Sequence, residues 1–139
     1  MRQLVLLIFI LNLFPSYLQA GSQIPVFEVK KPTVIAFFHP VTDDELNSNA
    51  GLNEVLSDFQ YHLRGARVRL EEAGITVHEI YTRSFTVKLP TSTTIFKPTG
   101  DAVGYYLIVP GKNPKIVYGV MTDSDLLFIA NKYFGKKII

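Results

Sequence analysis

Val34-Ile35-Ala36-Phe37-Phe38-His39-Pro40 opens with five apolar residues in unbroken succession. A short run of this kind, rich in β-branched and aromatic residues, predicts a strand buried on both faces, since a strand with one wet face alternates instead. Pro40 ends the run and holds His39 away from helical angles.

Downstream, a polar stretch over 42–49 leads into an apolar stripe. Leu52, Val55, Leu56, Phe59, Leu63, Ala66, Leu70 and Ala73 recur at spacings of three and four. That spacing predicts one long amphipathic helix. Gly74 stands where a left-handed C-cap is wanted, and Gly65 marks a bend or a close-packing point inside the helix. Asp58, Arg64, Arg67, Arg69 and Glu71 form its solvated face. Residues 75–81 follow as a strand, so strand, crossover helix and strand make a right-handed βαβ unit.

Phe85, Val87 and Leu89 alternate with polar residues, Pro90-Thr91-Ser92 interrupts, and 93–96 resumes β-favouring residues; this predicts an inserted hairpin. Lys97-Pro98-Thr99-Gly100-Asp101 is a turn cluster. Residues 104–109 and 115–120 flank the loop Pro110-Gly111-Lys112-Asn113-Pro114 and predict an antiparallel hairpin. Thr122 caps a closing helix, with Asp125 three residues on. Leu126, Ile129, Ala130, Tyr133 and Phe134 form its apolar stripe, and Gly135 stops it. Upstream, 26–30 supplies a further edge strand.

The first twenty residues read as an address. Arg2, the apolar run over 4–14 and a small residue at Ala20 describe a secretory signal peptide cut before Gly21. The run falls short of the roughly 20 residues that span a bilayer. The 139-residue chain therefore divides into a signal peptide, 1–20, and one domain, 21–139, exported to a periplasmic or extracellular space, with no transmembrane span after cleavage. Arg2 is the sole charged residue lost, leaving 13 basic against 12 acidic residues and a charge near +1. That balance offers no electrostatic footprint for nucleic acid. The chain has no cysteine, so it makes no disulfide and performs no thiol–disulfide chemistry.

The fold class is α/β, and the order of elements resembles that of thioredoxin-like domains: a strand, a long helix and a strand, then a linker and a C-terminal ββα unit. Val34-Ile35-Ala36-Phe37-Phe38 is similar to that family's first core strand, and the hairpin from Tyr105 with the helix over 123–134 is similar to its closing unit. The resemblance implies a mixed sheet and a peptide-docking groove at the start of the long helix. Two hallmarks depart. The Cys-x-x-Cys position is occupied by Thr42-Asp43-Asp44-Glu45, and the cis-proline position by Gly104 after Val103. The resemblance thus implies a non-redox binding or accessory domain without cofactor, engaging a protein or peptide of the cell envelope through His39, Thr42, Asp43, Asp44, Glu45, Gly104 and Tyr105.

Two other readings stay open. His39 with Asp43, Asp44 and Glu45 is a set of oxygen and imidazole donors suited to a divalent metal, or His39 and Thr42 a base and nucleophile of a hydrolase. Consecutive acids at a helix start are also favoured by the helix dipole alone. Tyr105, Tyr106 and Tyr118 on the closing hairpin are either cross-strand packing or an aromatic face through which an envelope-associated structural protein self-associates. His62 and His78 show no ligand spacing, and Arg83 is placed for a surface salt bridge or for reaching the region of His39 and Glu45.

Overall fold

A computed structural model describes residues 23–99 and 102–138. Segment 1–20, read above as a signal peptide, and Gly100 and Asp101 of the expected turn cluster lie outside the described residues. The strands are β1 (Val26–Glu28), β2 (Thr33–Phe38), β3 (Thr76–Tyr81), β4 (Phe85–Lys88), β5 (Thr93–Phe96), β6 (Val103–Ile108) and β7 (Lys115–Tyr118). The helices are α1 (Asp43–Ser48), α2 (Ala50–Glu72) and α3 (Asp123–Phe134).

The unbroken apolar run becomes β2, with every residue buried. It pairs in parallel with β3 and antiparallel with β6, and β7 completes a four-stranded sheet in the order β3-β2-β6-β7. As the apolar pattern demands, both faces of β2 are covered. Val34, Ala36 and Phe38 join Tyr105 and Leu107 beneath Leu56, Phe59, Leu63, Ala66 and Leu70 of α2 and Leu126, Leu127 and Ala130 of α3. Ile35 and Phe37 join Tyr106 and Ile108 against Val29, Phe85 and Val87. Each such Val, Leu, Ile or Phe contributes about 1.5–3 kcal/mol by leaving water.

The second layer is a separate three-stranded sheet, β1-β4-β5. β1 does not extend the main sheet: it pairs with β4, in parallel, from Val26↔Thr86 to Glu28↔Lys88. The expected inserted hairpin is present, with β4 and β5 antiparallel. Rings knit the layers: Phe96 lies 5.5 Å from Phe37 and 5.0 Å from Tyr106.

The predicted long helix is interrupted near its start. Asn49, with φ −133°, is both the C-cap of α1 and the N-cap of α2. Its Oδ1 accepts from the Leu52 N–H at 3.0 Å. Thr42 to Glu45 therefore begin a short separate helix rather than the long one, because an asparagine whose side chain caps the following helix breaks the preceding one. The stripe narrows too. Leu56, Phe59, Leu63, Ala66 and Leu70 are buried, whereas Val55 is 41% exposed. Gly65 proves to be a close-packing point: a Cβ there would sit 3.3 Å from Asp123 Oδ2 at the start of α3. In α3 the buried set gains Leu127, and Ile129 and Phe134 are only half-buried. The Thr122 hydroxyl accepts from the Asp125 N–H at 3.2 Å, and Gly135 at φ 64° ends the helix. Gly74 takes φ 81° at the end of α2.

Candidate functional site

β2 ends at Phe38, and β6, antiparallel to it, begins beside that end, with Phe38 opposite Val103. Over this point the chain leaves β2 through His39 and Pro40, forms α1 and turns at Asn49 into α2. The departure of two helix ends from one strand end leaves a cleft of about 520 Å³. Its apolar lining comes from Phe38, Leu52, Val55 and Val103, and its polar lining from His39, Glu45, Ser48, Asn49 and Arg83. Clefts outside the carboxyl ends of strands are the usual ligand sites of α/β sheets.

Each predicted site residue has a definite place. His39 and Glu45 line the cleft. The His39 ring rests on Phe38, with centroids 4.8 Å apart. Its Nδ1 lies 3.1 Å from Pro40 O. A carbonyl only accepts, so in the neutral ring this bond places the proton on Nδ1 and leaves Nε2 as an acceptor. Thr42 and Glu45 form a capping box at α1. The Thr42 N–H donates to Glu45 Oε2 at 2.7 Å, and the Glu45 N–H donates to Thr42 Oγ1 at 3.2 Å. The Thr42 hydroxyl also reaches Glu45 Oε2 at 3.2 Å. The Thr42 hydroxyl is thus engaged by Glu45 both as donor and as acceptor. Asp43 and Asp44 are exposed in the first turn of α1, where the helix dipole accounts for them. Among the described residues, no group of three His, Asp or Glu side chains converges as a metal site. Consecutive acids on a helix fan outward, which is why the proposed donor set does not close.

Gly104 and Tyr105 are corrected. Both are buried, Tyr105 completely. The side chain of Tyr105 faces the helices beside Phe59, with ring centroids 5.9 Å apart, and its hydroxyl accepts from the Met121 N–H at 3.3 Å. Burial pushes its phenol up, partly offset by that bond. Neither residue offers a docking surface; Val103, one position earlier, does reach the cleft.

Sequence reasoning missed Ser48, Asn49, Leu52 and Val55 as lining residues, because the polar stretch gave no sign of the break at Asn49. Arg83 does reach the region of His39 and Glu45, as one of its two readings had it. It is positioned by the short turn in which the Thr82 hydroxyl donates to Ser84 O at 2.8 Å.

A second polar group lies on the outer edge of β3. Gln60 Nε2 donates to the Tyr81 hydroxyl at 2.9 Å, which donates to Glu79 Oε1 at 2.6 Å. Arg67 Nη2 stands 3.6 Å from Glu79 Oε2. Burial, then the bond to Glu79, pushes the Tyr81 phenol up to about 12. His78 faces the other way, against Phe27 with centroids 4.8 Å apart; burial and then the Arg67 charge hold its imidazole below 6.5.

No protein-family model, curated protein or solved structure matches this chain.

Proposed function

We propose that this protein is an exported, non-redox binding domain of thioredoxin-like build, whose cleft beside Phe38 and Val103 holds an extended segment of a partner protein. The observation that carries the reading is the cleft itself. It joins an apolar floor to a rim of hydrogen-bonding side chains, the combination that suits a peptide with one apolar side chain and a polar backbone. His39 Nε2 and the Asn49 amide supply the polar contacts, and Leu52, Val55 and Val103 the apolar one. Support for the kinship is the placing of β2 between a parallel β3 and an antiparallel β6, under one long helix. Support for export is the segment Arg2 to Ala20. The absence of cysteine rules out the disulfide exchange that related folds perform.

Two arginine substitutions on α2 test the reading. Val55 is 41% exposed and lines the cleft; Val68 is 57% exposed and does not. In pull-downs from an envelope extract, Val55→Arg is expected to lose partners that both the unaltered protein and Val68→Arg retain. Equal partner sets for all three proteins end the cleft reading.

A further inference from the structure

β7 is the last strand on its side of the four-stranded sheet. It pairs with β6 as Gly104↔Tyr118, Tyr105↔Val117, Tyr106↔Ile116 and Leu107↔Lys115. The ladder continues one step beyond, where the Gly119 N–H donates to Val103 O at 2.7 Å. Mutual N–H···O pairs recur at every second residue of an antiparallel ladder. The Gly119–Val103 bond thus assigns positions 115, 117 and 119 to the bonds with β6. Ile116 and Tyr118 turn their N–H and C=O groups outward, away from the sheet.

The side chains of the same two residues are bare. Ile116 is 38% exposed and Tyr118 53%. Both lie on the face that the small sheet covers elsewhere, in line with Tyr106 and Gly104. Phe96 of β5 reaches Phe37 and Tyr106, while the ring contact of Tyr118 among the described residues is edge-on to Phe37 at 6.0 Å. Unpaired backbone and uncovered apolar side chains therefore coincide on one short strand.

We propose that β7 pairs with β7 of a second copy of this chain, antiparallel about a two-fold axis at Val117, to give a dimer with one continuous sheet. The register follows from the outward-facing groups. They belong to Ile116 and Tyr118, and only the arrangement that sets Ile116 of each copy opposite Tyr118 of the other uses all of them. A shift centring the axis on 116 or on 118 uses half. The chosen register also makes two β-branched–aromatic cross-strand pairs, a favoured combination. It sets Lys115 opposite Gly119, so the two Lys115 positions stand about 13 Å apart along the strand, beyond the screening length of about 8 Å. Pro114, with no N–H, ends the pairing on one side. The contact is isologous and consumes β7 of both copies, so it closes at two chains.

The chain has no cysteine, so a single introduced thiol reports on a single position. At 117 the two copies meet as a non-hydrogen-bonded pair, with Cα atoms about 4.5 Å apart, inside the range a disulfide spans. At 116 the equivalent atoms are offset by two residues along the strands, about 8 Å apart, which a disulfide does not span without backbone movement. Sedimentation of the unaltered protein from about 1 μM to about 1 mM is expected to show a monomer–dimer equilibrium. Mild oxidation is expected to link Val117→Cys into a covalent dimer roughly tenfold faster than Ile116→Cys or the helix-surface control Val68→Cys. A strict monomer across that concentration range overturns the proposal. So does cross-linking of Val117→Cys no faster than that of Val68→Cys.

Discussion

The Met121 N–H donates to the hydroxyl of Tyr105 across 3.3 Å, tying the segment before α3 to the centre of the main sheet. Tyr105 is completely buried, so its oxygen has this backbone donor in place of water. Tyr105→Phe leaves the ring packing intact and strips the bond. The expected cost is about 1 kcal/mol, the usual net worth of such a bond. It should appear as a lower urea midpoint at an unchanged slope. A midpoint equal to that of the unaltered protein removes the bond from the account of stability.

Gly104 sits where β7 crosses close over β6. A Cβ there would lie 2.3 Å from Val117 O and 3.0 Å from the Phe37 ring. Neither backbone nor a packed ring yields cheaply, so Gly104→Ala is expected to cost about 2 kcal/mol or more. Gly51 is the contrast. Near the start of α2 its nearest neighbour to an added Cβ is Asn49 Oδ1 at 3.5 Å, an ordinary contact. Gly51→Ala should stabilise by about 0.5–1 kcal/mol. Thermal melts that rank the two variants in the opposite order contradict this packing.

Thr42 and Glu45 cap a helix that buries none of its residues. Loss of the cap in Thr42→Ala therefore acts locally. Amide exchange at Glu45 and Leu46 is expected to quicken about fivefold, the equivalent of about 1 kcal/mol. The global melting midpoint should move far less, because α1 gives the main core only the half-buried Leu46. A large drop in the global midpoint with no change in α1 exchange would show that the helix is held by packing instead.

The Tyr81 phenol, pushed up to about 12 by burial and by Glu79, yields a prediction with a definite sign. Between the unfolded value near 10 and the folded value near 12, the native state holds a proton that the unfolded chain has released. Its contribution to stability is full below pH 10 and is lost as the pH rises toward 12. Glu79→Gln removes the acceptor charge and should lower the Tyr81 titration midpoint, read from absorbance of the phenolate. An unchanged midpoint in that variant assigns the shift to burial alone.

His78 carries the opposite sign. Burial and Arg67 favour the neutral ring, so the native state resists a proton that the unfolded chain accepts near pH 6.5. The contribution is full above that value and is lost as the pH falls below it. Arg67→Gln is expected to raise the His78 midpoint in an NMR titration, since it removes the second of the two causes; a midpoint that stays put leaves burial as the whole explanation.

Much of this architecture was legible in residue order. β2 announced itself because burial on both faces removes every polar residue from a strand, and α2 because a helix with one buried face repeats every three to four residues. The cleft was legible only in part. His39 and Glu45 fall in it because they flank the end of β2. Asn49, Leu52 and Val55 went unseen because one asparagine inside a polar stretch carries no periodic signal. Tyr105 was misplaced for a related reason: adjacent tyrosines on a strand point to opposite faces, and both faces of β6 are buried.

Chain-local chemistry alone decided that this domain has a doubly covered central strand, capped helices, a closing ββα unit and no thiol. Tertiary structure alone decided what covers each face. β1 could extend the main sheet or build a second one, and the choice went to β4 because Phe27, Val29, Phe85, Val87 and Phe96 bury one another over Phe37 and Tyr106. Which strand ends meet, and hence where the cleft opens and which edge stays bare, depends on long-range register, and register is set by contacts between residues far apart in the chain.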